Sequence, residues 1–137
     1  MRSFSLIFSD CLSYSRYDEI TVEIFLSSND STHVAIEAKV DTGSKFCIFQ
    51  RHYAFLLGFD LQSGIRERIR TAAGSFIAYG HEATLTVSDI EWDAVVYFAE
   101  PENFPVNVVG RVGFLDHLRI GLVDYEQLLY INPYNAT

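Results

Sequence analysis

The sequence predicts an all-β domain with one or two short helices. Three observations carry this. Apolar and polar residues alternate with a period of two along most of the chain, clusters of turn-forming residues separate those runs, and only residues 51–57 and 112–118 read as helix. At 137 residues the chain is long enough for one hydrophobic core and too short for two.

Residues 1–19 read as an N-terminal strand extension, with Phe4-Ser5-Leu6-Ile7-Phe8 as its strand. The domain core follows over residues 20–131, and residues 132–137 are a tail. Strands at residues 20–26 and 34–40 form a hairpin around Ser27-Ser28-Asn29-Asp30-Ser31. A further strand is expected at residues 45–49, then a short helix over 51–57 that Gly58 stops. Strands are expected at 65–71, 76–79, 83–87 and 92–98, a helix at 112–118, and strands at 119–124 and 128–131. Asn132-Pro133 ends the last one, because proline cannot donate to a ladder.

Composition excludes several classes. With 49% hydrophobic and 15% aromatic residues, wholesale disorder is ruled out. A net charge of -8 argues against nucleic acid as a partner. Arg66, Arg68 and Arg70 form the basic cluster, and their spacing puts them on one strand face, read as a solvated outer face. The longest apolar runs fall far short of the roughly twenty residues that span a bilayer. Serine interrupts the N-terminal apolar stretch and Asp10 closes it, so neither an export nor a membrane segment is expected. Cys11 and Cys47 make no disulfide framework, which points to a cytoplasmic setting, and Cys47 reads as a small buried hydrophobe. His33, His52, His81 and His117 lack metal-ligand spacing, and the alternating Asp89, Glu91 and Asp93 lack the glycine of a hard-ion loop. No cofactor or metal is expected.

The chemistry is concentrated at Asp41-Thr42-Gly43-Ser44, a carboxylate in a tight turn between two strands. A carboxylate so placed can activate water, and glycine lets the backbone pass close to a bound chain. Further along stand Ala72-Ala73-Gly74-Ser75-Phe76-Ile77 between strand-like runs, and Pro105-Val106-Asn107-Val108-Val109-Gly110-Arg111.

In that order the three segments resemble the catalytic loop, the flap hairpin and the strand beneath the loop in the retropepsins, the retroviral-type aspartic proteases. The resemblance covers residues 20–131 and implies a closed, β-barrel-like lobe. It also implies an aspartic endopeptidase acting as a homodimer, because facing carboxylates must share a proton and this chain supplies one Asp-Thr-Gly. It assigns Asp41 to water activation, Thr42 to bonding the partner loop and Gly43 to approaching the substrate. Ala72, Ala73, Gly74 and Ser75 become the flap, hinged at Gly74, while Val106 and Val108 wall a pocket for extended peptides with apolar side chains. The Ser44 hydroxyl is expected either to donate to ionised Asp41 or to cap the turn. Two departures stand out. In retroviral relatives the arginine matching Arg111 pairs with an acid just after the catalytic loop, where Lys45 and Phe46 stand here; and the flap is poorer in glycine. The terminal strands either join a second copy in a shared sheet or extend the chain's own sheet. The competing reading is a module that binds peptide or protein on this fold without cutting it.

Overall fold

In the first long hairpin, every second side chain is apolar and points inward. Strand β2 (Thr21–Ser27) buries Val22, Ile24 and Leu26, while β3 (His33–Val40) buries Ile36 and Ala38, with Ile24 opposite Ile36. The computed structural model describes residues 2–15, 19–29 and 32–136; Asp30 and Ser31 of the expected turn lie outside them. The Ser28 N–H to Thr32 carbonyl bond spans that turn at 3.2 Å.

Beyond the hairpin come β4 (Ile48–Phe49), helix α1 (Arg51–Leu56), β5 (Ile65–Thr71), β6 (Gly74–Val87), β7 (Ile90–Ala99) and β8 (Val108–Val109). The pairings run β2-β3-β8-β4-β7-β6, and β6 returns to β2 through Phe25–Thr86, Leu26–Leu85 and Ser27–Thr84. The ring encloses Ile24, Leu26, Ile36, Phe49, Phe98 and Phe114, all below 2% exposed. Each such side chain contributes roughly 1.5–3 kcal/mol by leaving water. Strand β5 hangs on the outer side of β6 as an edge strand. A second apolar cluster of Ile48, Ile69, Ala78, Tyr97 and Ala99 lies beneath it.

A separate sheet has the order β1-β10-β9, from β1 (Asp10–Ser13), β10 (Leu128–Pro133) and β9 (Leu118–Val123). The chain ends therefore pair within one chain, and the N-terminal strand is Asp10–Ser13 rather than Phe4-to-Phe8. Residues 2–8 run beside this sheet instead. Asn132 donates to the Ile7 carbonyl at 3.0 Å, and the Phe8 ring covers Gly121, where a Cβ would stand 2.8 Å from it. The last strand extends through Pro133, because Asn132 and Pro133 stay in register with Arg119 and Leu118 of β9.

Three other expectations change. The strands expected at 76–79 and 83–87 are one strand, because Gly80 stays paired with Tyr97 and lets its ring lie where a Cβ would be 2.9 Å away. The strand at 45–49 shrinks to Ile48–Phe49, with Phe46 making a lone bridge to Val112. The helix at 112–118 is a single 3-10 turn, Leu115–His117: Gly113 takes φ +101°, and the Asp116 carboxylate accepts its N–H at 3.0 Å. Helix α1 forms as expected and ends at Gly58, whose φ of +81° continues no helix.

Candidate active site

Strand β3 delivers Asp41 into a loop clamped from below by β8. The Asp41 N–H donates to Val109 O at 3.0 Å, and Arg111 and Val112 donate to Ser44 O and Lys45 O at 2.9 and 2.8 Å. Such an approach requires Gly110, since a Cβ there would lie 2.5 Å from the carbonyl oxygens of both Ser44 and Phe46. Cys47, fully buried, completes the clamp: its thiol donates to Val112 O at 3.5 Å and its sulfur accepts the Gly110 N–H at 3.4 Å. Burial pushes the Cys47 thiol up to about 12, far from a nucleophile's range.

Within the loop, the Gly43 N–H donates to the Asp41 carboxylate at 2.9 Å, a charge-assisted bond that fixes its orientation. The Ser44 N–H closes the turn onto Asp41 O at 3.1 Å, while the Ser44 hydroxyl donates to Phe46 O at 2.8 Å. Of the two roles expected for Ser44, its hydroxyl takes the turn-capping one.

Asp41, Gly43 and Ser44 stand at one side of a cleft of about 650 Å³. Val106 and Val108 line it, and it also takes in Ile48, Ile69, Phe76 and Phe104, which sequence reasoning had not placed there. The Phe76 and Phe104 rings meet at 4.8 Å. Asn107, between the two valines, is not part of the lining: its side-chain oxygen accepts the Gln50 N–H at 2.9 Å, and its amide donates to the Gln50 side chain at 3.3 Å. Glu67 lines the same cleft, and its charge adds to the effect of burial in raising the Tyr97 hydroxyl's pKa.

The segment expected as the flap is the tip of the β5–β6 hairpin. There the Thr71 hydroxyl accepts the Ala73 N–H at 3.2 Å and donates to Gly74 O at 3.1 Å. Gly74 has φ +133° with no atom within 4 Å of a Cβ position. Ala72, Ala73, Gly74 and Ser75 are all exposed, and none of them lines the cleft in the single chain. Ser75 sits opposite Arg70 and accepts a bond from Arg68 at 3.3 Å.

No protein-family model matches the sequence, and no curated protein gives a significant match. Solved structures do. A retropepsin-like aspartic protease from Rickettsia conorii superposes with a TM-score of 0.66 over 88% of this chain and 96% of that one, at 18% identity. The EIAV protease, complexed with the inhibitor HBY-793, gives 0.55 over 73% and 88%, at 16% identity. This chain has a retropepsin-like fold. On the other side of the Asp41 loop of this retropepsin-like lobe, Thr42, Lys45, Arg111 and Asp116 line a second concavity of about 610 Å³. Among the described residues the Arg111 guanidinium has no acidic partner and the Thr42 hydroxyl no hydrogen bond, while the Lys45 ammonium stands 5.1 Å from the Phe46 ring centre. The histidines lie elsewhere, with His81 bonded to Leu61 O at 2.9 Å and His117 stacked on Trp92.

Proposed function

We propose that this chain is an aspartic endopeptidase that acts as a homodimer, with one Asp41 from each subunit. Peptide hydrolysis by carboxylates needs two of them facing each other with a single proton between them. The ionised one takes a proton from water as it attacks the scissile carbonyl, and the protonated one donates to the carbonyl oxygen. The chain has one such loop, so a second copy is the economical source of the other carboxylate.

The observation that carries the reading is the Asp41 carboxylate, held by the Gly43 N–H at the side of an apolar cleft bordered by the β5–β6 hairpin. Two further features support it. A meeting of the two Asp41 carboxylates brings Thr42 and Arg111 close to the two-fold axis, where the Thr42 hydroxyl finds its acceptor on the second loop. The cleft walls suit an extended peptide with apolar side chains, and the Ala72–Ser75 tip reaches substrate when the hairpin closes. Among the described residues no helix is long and apolar enough to cross a membrane. Two free thiols, Cys11 exposed and Cys47 buried, suit a reducing cytoplasm.

The test is Asp41→Asn, which keeps the shape and the acceptor for Gly43. Folding and sedimentation should match the parent while peptide cleavage disappears. Parent activity should rise faster than linearly with protein concentration. Retained cleavage by the variant would eliminate the aspartic mechanism, and a parent that binds peptides yet never cleaves them would leave a binding module.

A further inference from the structure

The chain carries 18 acidic against 10 basic residues, yet the cleft reverses that balance. Setting Asp41 aside, its charged lining is Lys45, Arg68 and Arg70 against Glu67. The cations stand on both banks. Lys45 projects from the catalytic loop over the Phe46 ring, and Arg68 and Arg70 belong to β5 on the flap. Alternation along β5 buries Ile69 toward the apolar cluster and leaves both arginines exposed at the rim, with Arg68 anchored to the Ser75 hydroxyl at 3.3 Å. Exposed at a rim, these charges keep their hydration and meet a ligand only at its flanks. The interior of the cleft is supplied by Ile48, Ile69, Phe76, Phe104 and the two valines.

We propose that the cleft selects peptides whose apolar residues fill its interior and whose flanking Asp or Glu side chains meet Lys45, Arg68 and Arg70. For cleavage this rests on the protease reading; for binding it rests on the cleft alone. In a chain of net charge -8, a local basic rim draws an acidic segment to this mouth and away from the remaining surface. Glu67 opposes the preference on the flap bank and sets its limit.

The experiment measures binding of fluorescent peptides to the Asp41→Asn chain. The peptides share one apolar centre and carry Asp/Glu, Asn/Gln or Lys flanks. Acidic flanks should bind tightest, and added salt should erode their advantage, because exposed charges are screened over about 10 Å at 0.1 M salt. Arg68→Gln, Arg70→Gln and Lys45→Gln should each weaken acidic peptides by about two- to fivefold, the range of one exposed ion pair, and leave neutral peptides unmoved. Glu67→Gln should sharpen the preference. Lys39→Gln removes the same charge at an exposed position outside the cleft lining and should leave the preference as it was. Equal binding of acidic and neutral flanks, or tighter binding of Lys flanks, would overturn the proposal. Cleavage by the parent without acid preference sinks this inference alone; acid-selective binding by a parent that never cleaves sinks only the protease reading.

Discussion

The Asp41 loop and the β5–β6 hairpin border the same cleft, yet they are built on opposite terms. The loop is held by backbone bonds from β8, by the buried Cys47 sulfur and by a glycine whose absent Cβ leaves room for two carbonyls. The tip of the β5–β6 hairpin is held by the two Thr71 bonds and by the Arg68 bond to Ser75, its four residues are exposed, and the Gly74 Cβ position is empty space. Stability is thus concentrated under Asp41 and withheld from the hairpin tip, the distribution that the proposed protease requires of a fixed carboxylate and a moving flap.

Gly110→Ala should break that contrast most. A Cβ 2.5 Å from two backbone oxygens forces loop and strand apart, at a cost of about 3 kcal/mol or more, visible as a large fall in the urea midpoint or a failure to fold. A second effect follows from Cys47. Its thiol pKa rises from 9.0 to about 12 in the fold, so the folded state holds that proton more tightly than the unfolded chain does. The resulting stability is complete below pH 9 and is lost as pH climbs from 9 toward 12. Chemical denaturation at pH 8 and pH 10.5 should show the decline, and Cys47→Ala should make it shallower, with the raised pKa values of the Tyr14, Tyr97 and Tyr130 hydroxyls accounting for the remainder. At the flap, Gly74→Ala places an L-residue at φ +133°, costing about 1–3 kcal/mol from backbone strain with no clash. Ser44→Ala removes the bond to Phe46 O, and thermal melts should report a loss of about 0.5–1.5 kcal/mol. Because that hydroxyl is engaged away from Asp41, the acidic limb of a pH–rate profile should stay in place. Smallest of all is Ala72→Ser, an exposed change that should stay within about 0.5 kcal/mol.

Much of the design was legible in the sequence because it rests on local chemistry. Asp41 in its turn, the hairpin tip before Gly74 and the helix stopped at Gly58 are each written in a few adjacent residues. What escaped notice depends on distant partners. Gly80 reads as a strand break until Tyr97 is seen lying against it, and Gly121 gains its reason only from Phe8, more than a hundred residues earlier. The helix after Arg111 was lost to the positive φ of Gly113, a conformation that the run Val112-Gly113-Phe114 does not announce. Ile48, Ile69, Phe76 and Phe104 were visible only as alternating apolar positions, since the sequence does not say which buried face opens onto a cleft.

Among the described residues strand β5 has a neighbour on one side only, so its other border presents backbone N–H and C=O groups to a further strand. Arg66, Arg68 and Arg70 make this border a poor template for self-association, since two such borders approaching each other would bring like charges together. The row of arginines thereby acts as a guard against sheet-to-sheet aggregation, and a chain in which all three were replaced by valine should precipitate at concentrations where the parent stays clear.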